Sequence, residues 1–196
     1  MKMERIVQLL GGLNVSRTRL QAGANAHVWH VVLAAVVNKT LNVDAAYGGL
    51  TLLHLACYHG EVDVVRQLLA LHANPSRETR CNKYRPMHYA AMSDSANALA
   101  ICKLLPVADL ASLNTQGRTP LVEALSIQFS AGMDLDLNLF QWMIQQPQFD
   151  VSALVAILYH AHGKDQYVCL LDAEVAARSR WTPARAAWCA TACVCA

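Results

Sequence analysis

The chain has 196 residues, 55% of them hydrophobic and 15% charged, and its formal net charge is only +2. This near-neutral balance excludes a global electrostatic case for a nucleic acid or an anionic membrane as the partner. The length suits one domain or one array of small stacked units. The high apolar fraction indicates helices that are covered on more than one side.

The N-terminal segment and the cysteines bear on the cellular compartment. Residues 1–16 contain Glu4 and have no apolar core followed by a cleavage site, so we expect no secretory signal. The seven cysteines are odd in number and scattered, which does not fit a disulfide framework. We therefore expect a reducing intracellular location, the cytoplasm, with the nucleus as the alternative.

A seven-residue pattern that recurs along the sequence predicts paired helices in chain order. Its copies start at nearly even intervals, and only the last interval is slightly shorter. A second apolar pattern with helical spacing follows each of the first five copies but not the last. The first patterns are TRLQAGA from Thr18, TLLHLAC from Thr51, RPMHYAA from Arg85, TPLVEAL from Thr119, SALVAIL from Ser152 and TPARAAW from Thr182. The second patterns are VWHVVLAAVV, VDVVRQLLAL, ALAICKLL, LNLFQWMI and QYVCLLDAEVA.

Local chemistry supports these helix starts and stops. Thr119 is suited to cap the free amides of a helix start, and Pro120 then occupies the first turn, where its missing N–H costs nothing. Gly60 offers the left-handed conformation that turns the chain between two helices. The apolar residues of VDVVRQLL share one face, which no single unit can bury, so stability has to come from stacking.

A period of about 33 residues with the pattern T-P-L-H-x-A-A resembles the ankyrin repeat family. The resemblance implies an all-α ankyrin-repeat solenoid of about five stacked helix-turn-helix units, joined by short hairpins or loops called fingers. It predicts a single array over residues 1–190, with a partial unit from residue 182 and a Cys-rich tail at 189–196. The best unit has its signature residues at Thr51, His54, Leu55, Ala56, Gly60, Val64, Val65, Leu68 and Leu69.

Two units depart from the family's pattern. The third has two extra residues between Ala91 and Leu104, with Asp94 where the glycine should be. The fourth carries an insertion over 128–138, with Gln128 in the glycine position, and we expect a longer loop between its two helices. Insertions of this kind map to loops on one face of an array.

His54 and His88 occupy the same slot in two successive repeats. In the ankyrin family this histidine hydrogen-bonds backbone between neighbouring units, so the resemblance implies a structural role. His160 and His162 fall on different faces of a helix and have no ligand frame beside them. Nucleophile frames, a phosphate loop and metal motifs are absent from the sequence. We therefore predict no enzyme, no catalytic residue, no metal and no cofactor.

The resemblance implies that function resides on a concave surface made of fingers and inner helices, which binds another protein. Its residues precede the threonine or follow the alanine pair, and tyrosine, arginine and methionine among them are favoured at interface hot spots. Alternatively, Tyr47 and Tyr58 merely cover the slim inner helix. We expect substitution of Tyr47, Tyr84 and Arg118 to abolish partner capture and leave thermal stability nearly unchanged. The predicted set is Tyr47, Leu50, Tyr58, His59, Cys81, Asn82, Tyr84, Met92, Ser93, Thr115, Gln116, Arg118, Ser126 and Ile127.

Two segments leave alternatives open. The basic finger from Ser76 to Arg85 is either a solvated hairpin or a contact for an acidic partner. The C-terminal CVCA fits a farnesylation frame at Cys193 with Cys189 upstream, or it is the apolar end of a helix that begins near Thr182. The function predicted is thus a protein–protein interaction module: an adaptor, inhibitor or effector. The alternatives are a membrane adaptor lipidated at Cys193 and, behind it, an enzyme that uses the degenerate C-terminal third.

Overall fold

The computed structural model describes residues 26–93, 96–130 and 136–147, and these residues are helical apart from turns and loops. The chain divides into two units, residues 1–135 and 136–196. The repeat copies from residues 18, 152 and 182, His160, His162 and the C-terminal cysteines lie outside the described residues. The helices are α1 (Ala26–Val37), α2 (Leu52–Tyr58), α3 (Val62–Ala70), α4 (Pro86–Met92), α5 (Ala98–Cys102), α6 (Pro120–Ser130) and α7 (Leu137–Ile144), with a 3₁₀ turn at Val107–Ala111.

The described helices of the first unit form two rows. Helices α2, α4 and α6 stack side by side as the inner row, and α1, α3 and α5 form the outer row. Each of α3 and α5 packs back on the inner helix that precedes it. In the second unit, α7 buries Leu139, Phe140, Met143 and Ile144 on one side. The paired-helix order predicted from the sequence is confirmed over the described residues.

Small residues and caps explain the close stacking of the inner row. Ala56, Ala90 and Ala124 are fully buried, so they keep the inner helices slim where neighbours meet. Thr119 accepts the N–H of Val122 at 3.4 Å through its hydroxyl, which confirms the predicted cap of α6. The predicted turn between α2 and α3 is also confirmed, because Gly60 has a φ of 74°.

A finger precedes each inner helix: finger 1 (residues 45–50), finger 2 (76–85) and finger 3 (114–118). The second residue before each helix cap has a positive φ: 89° at Gly49, 54° at Lys83 and 71° at Gly117. Glycine adopts this conformation freely, whereas a side chain there costs roughly 1 kcal/mol. Finger 2 therefore holds a lysine in a position that glycine fills in the fingers on either side.

The insertion in the fourth unit does not form a loop at its start. Helix α6 continues through Ser130, so Gln128 lies in the helix and is buried, in contrast to the predicted loop. The sequence explains this difference, because no glycine or proline interrupts it between Pro120 and Gly132. In the second repeat, by comparison, Gly60 is the second residue after the end of α2.

The outer helix of the third unit is shorter than its pattern predicts. The apolar pattern spans residues 98–105, but α5 ends at Cys102 and Pro106 follows shortly. The chain then turns through the 3₁₀ segment Val107–Ala111, which packs on α6. Among the described helices, none combines the length and the hydropathy needed to cross a membrane.

Candidate protein-binding surface

His54 ties finger 2 to the inner row. Its Nδ1 accepts the backbone N–H of Thr51 at 3.1 Å, so its proton is on Nε2. That Nε2–H points at two carbonyl oxygens of finger 2, those of Arg77 at 3.0 Å and Tyr84 at 3.2 Å. Burial lowers the pKa of His54 to about 4, and the two backbone hydrogen bonds only partly oppose this shift. The predicted structural role is confirmed.

His88 repeats this arrangement one unit further on. Its Nδ1 accepts the N–H of Arg85 at 3.2 Å, and its Nε2 faces the carbonyl of Arg118 in finger 3 at 3.5 Å. Burial again lowers the pKa of the histidine to about 4. In α6 the same slot holds Val122, which has no group to donate, so this tie does not recur there.

The predicted surface residues differ in exposure. The exposed ones are Asn82, Thr115, Gln116, Ile127 and Cys81. The half-buried ones are Tyr47, Tyr58, His59, Tyr84, Met92, Arg118 and Ser126. Leu50 and Ser93, however, are only 7% and 4% exposed. The backbone of Leu50 pairs with that of Tyr47 to close finger 1, and its side chain is buried beneath the turn. These two residues support the surface and offer little area to a partner.

Three tyrosines form a continuous aromatic cluster across α2, finger 2 and α4. The ring of Tyr89 lies edge-on to Tyr58 and to Tyr84, with centroids 6.2 and 5.7 Å apart. Tyr84 also stacks on the ring of His88 at 5.2 Å. Burial raises the pKa of Tyr84 and of Tyr89 to about 12, so both hydroxyls are protonated at neutral pH. The cluster presents apolar ring area together with hydrogen-bond donors.

A buried carboxylate fixes the other end of this surface. Glu123 of α6 is only 4% exposed, yet three donors reach it from fingers 2 and 3. The Tyr84 hydroxyl donates to it at 2.8 Å, the Asn114 side-chain amide at 3.1 Å and the Arg118 guanidinium at 3.3 Å. Arg118 also donates to the hydroxyl of Ser126 at 3.1 Å. The hydrogen bonds to Glu123 therefore fix the rotamers of Tyr84 and Arg118.

This network changes one expectation drawn from the sequence. Replacing Tyr84 and Arg118 by alanine would remove two of the three donors to Glu123. A buried carboxylate that loses its partners is strongly destabilising. We therefore expect such a variant to lose thermal stability, so it cannot isolate the effect of either side chain on binding.

Fingers 2 and 3 are hydrogen-bonded to each other, and finger 2 is also held by an ion pair to Asp109 of the 3₁₀ segment. The backbone N–H of Thr115 donates to the carbonyl of Asn82 at 3.0 Å. Arg85 bridges Glu78 at 2.9 Å and Asp109 at 2.7 Å, and Asp109 also accepts the hydroxyl of Ser76 at 2.8 Å. The contacts thus bring Tyr58, Asn82, Tyr84, Thr115 and Arg118 together as one surface.

Tyr89 and Glu123 were missed by the sequence reasoning. Both occupy the variable position of the T-P-L-H-x-A-A pattern in successive repeats, directly after the histidine slot. The sequence held no signal for these two positions, because the other copies of the pattern have Ala or Leu there. In α2 the same slot holds Leu55, which is buried. We name as the finger surface the side chains of Tyr47, Tyr58, Asn82, Tyr84, Tyr89, Met92, Thr115, Gln116, Arg118 and Ile127.

Within residues 26–93, 96–130 and 136–147, no group of three His, Cys, Asp or Glu side chains is arranged to hold a metal ion. Cys57, Cys81 and Cys102 are free thiols there, and Cys57 and Cys102 are buried. Burial raises the pKa of both buried thiols, so they remain protonated and apolar.

The family described as ankyrin repeats (3 copies) matches residues 8–110, just over half of the chain. The chain belongs to the ankyrin-repeat family, in agreement with its two rows of helices. Ankyrin repeats are generally protein–protein interaction modules and are typically non-catalytic. The comparison with curated proteins found no match. The count of five units, beyond these three copies, stays a prediction.

Proposed function

We propose that this protein is a non-catalytic adaptor, inhibitor or effector that binds a partner protein through the finger surface. The observation that carries the proposal is the fixed placement of Tyr84 and Arg118 by the buried Glu123. Side chains held in one rotamer lose little entropy on binding, which favours affinity. Tyrosine and arginine are also the residue types that dominate interface hot spots.

The cluster around Tyr89 adds the apolar part that such an interface needs. Tyr58, Tyr84 and Tyr89 supply rings beside the polar Asn82 and Thr115, so apolar and hydrogen-bonding groups alternate along the surface. Interfaces combine such an apolar centre with a polar rim. The outward side of α3 has a different character, because Asp63, Arg66 and Gln67 there are exposed polar side chains with no ring among them.

Affinity capture from lysate followed by mass spectrometry tests the proposal. The test variant carries Tyr47→Ala, Asn82→Ala and Met92→Ala, because these side chains make no hydrogen bond or ion pair in the described part of the chain. The matched control carries Asp63→Ala, Arg66→Ala and Gln67→Ala on α3. A partner retained by wild type and control but lost by the finger variant supports the proposal.

The thermal midpoints of both variants should lie within about 3 °C of wild type, because all six side chains are at least partly exposed. An identical set of captured proteins for the finger variant and the wild type would contradict the proposal. Capture lost only in the α3 control would place binding on the outer row instead.

A further inference from the structure

Finger 2 concentrates positive charge at the edge of the finger surface. Four basic residues and one acid give residues 76–85 a formal charge of +3, whereas the whole chain carries only +2. Arg85 and Glu78 are engaged with each other, and Arg85 also with Asp109. Arg77, Arg80 and Lys83 are exposed and make no ion pair among the residues the structure describes. The uncompensated charge of the finger is therefore accessible to a partner.

Lys83 occupies an energetically unfavourable conformation. Its φ of 54° lies in the left-handed region, where the neighbouring fingers place Gly49 and Gly117. Lys39 and His72 share this conformation, so the positive φ alone does not mark a binding residue. What distinguishes Lys83 is its place on finger 2, where its side chain is exposed and makes no ion pair in the described residues.

The charged finger and the aromatic cluster are contiguous. Tyr84 ends the turn of finger 2, and its ring lies edge-on to that of Tyr89 with centroids 5.7 Å apart. At the other end, Arg118 is 40% exposed and uses one guanidinium nitrogen for Glu123 and Ser126. Its other two nitrogens make no hydrogen bond in the described residues and suit a carboxylate from outside.

We propose, building on the proposed function, that the partner presents an acidic peptide segment containing an aromatic or aliphatic residue. Its carboxylates pair with Arg77, Arg80 and Lys83 of finger 2, and its apolar side chain packs on the tyrosine cluster. Charge complementarity selects a polyanion, and the ring area selects a peptide with an apolar residue within it. A nucleic acid is disfavoured because the net charge of the whole chain is only +2, so the excess positive charge is confined to finger 2.

The test selects phage-displayed random peptides on the full chain at physiological salt. Fluorescence anisotropy then measures the affinity of the enriched peptides for the wild type and for two charge-reversal variants. The test variant is Arg80→Glu with Lys83→Glu. The control is Arg66→Glu with Lys39→Glu, which changes the net charge equally. Lys39 is an exposed lysine with a φ of 55°, so it matches Lys83 in backbone conformation as well.

We expect enriched peptides to be rich in Asp and Glu around an apolar residue. The test variant should weaken their binding by roughly tenfold or more, and the control by less than about twofold. A second variant, Arg80→Gln with Lys83→Gly, keeps the finger's backbone preference and should weaken binding in the same direction. Circular dichroism confirms that each variant is folded.

Several outcomes would overturn the acidic-peptide proposal: enriched peptides that are neutral or basic, no enrichment, equal losses in test and control, or tighter binding of a single-stranded RNA 12-mer than of any peptide. Neutral peptides that are lost by the Tyr47, Asn82 and Met92 triple variant would leave the proposed function standing and refute only the charge preference. Neutral peptides that are unaffected by that triple variant would count against both.

Discussion

The two buried histidines are neutral because burial lowers the pKa of each to about 4, and each neutral ring accepts a hydrogen bond at Nδ1 and donates at Nε2. Protonating His54 or His88 would place a second proton on the nitrogen that accepts the N–H of Thr51 or Arg85. The histidine slot was recognisable in the sequence because it recurs at the repeat period. The particular carbonyl oxygens that face Nε2 were not, because they belong to the finger of the next unit along the chain.

Stability should therefore fall as the solution is acidified. The unfolded chain takes up protons at its histidines near pH 6.5, whereas folded His54 and His88 do so only near pH 4. Between these values the unfolded state binds more protons, so the free energy of unfolding decreases as pH falls through that window. We expect a loss on the order of 2 kcal/mol per histidine between pH 7 and pH 5.

Urea unfolding at pH 7 and pH 5 measures this loss. His88→Gln should lower stability at pH 7 but reduce the pH-dependent loss by about half. His72→Gln, at an exposed histidine, should keep the wild-type loss. An unchanged pH dependence in His88→Gln would contradict the assignment.

Tyr84→Phe tests the buried carboxylate beneath the finger surface. Removing the hydroxyl deletes one of three donors to Glu123, and we expect the free energy of unfolding to drop by about 1 kcal/mol. Tyr58→Phe is the matched control, because the Tyr58 hydroxyl makes no hydrogen bond in the described residues. Equal effects in the two variants, measured by chemical denaturation, would show that Glu123 does not depend on Tyr84.

Finger 2 is the element in which stability and proposed function conflict. Lys83→Gly should raise the free energy of unfolding by about 0.5–1 kcal/mol, because glycine adopts the positive φ without strain. It should also weaken binding of an acidic peptide. His72→Gly, at a φ of 64° after α3, should stabilise by a similar amount and leave binding unchanged. A destabilised Lys83→Gly in thermal unfolding would argue against strain at that position.

Arg85 stabilises finger 2 through its ion pairs with Glu78 and Asp109. Its guanidinium pairs with Asp109, whose side chain is only 3% exposed, so Arg85→Met leaves a buried carboxylate with little compensation. We expect a loss of about 2 kcal/mol or more in the free energy of unfolding. Arg66→Met breaks the exposed pair with Asp63 and should cost under about 0.5 kcal/mol. Similar costs for both variants in urea denaturation would contradict this stabilising role.

Elements differ in how well the sequence predicts them. Helices α3 and α7 follow their apolar patterns closely, because periodicity reports directly which face is buried. Helix α6 runs longer than its repeat predicts, because no glycine or proline interrupts the sequence between Pro120 and Gly132. The positive φ of Lys83 had no local signal, since lysine is not a residue that marks a turn.

For the molecule as a whole, the prediction of the fold rested mainly on the repeat period. A period of about 33 residues implies stacked units, and the family match to residues 8–110 confirms it. The candidate surface was only partly predictable, because repeat slots indicate which positions face outward on average. The hydrogen bond from Tyr84 to Glu123 joins two units, and a single unit's pattern does not contain such a contact.

Site-specific photo-crosslinking tests the central claim, partner binding through the finger surface, most directly. A photoreactive amino acid replaces either Asn82, exposed on finger 2, or Gln67, exposed on the outer helix α3. After irradiation with the captured partner, we predict a covalent adduct from position 82 and none from position 67. An adduct from position 67 alone, or equal adducts from both, would contradict the claim.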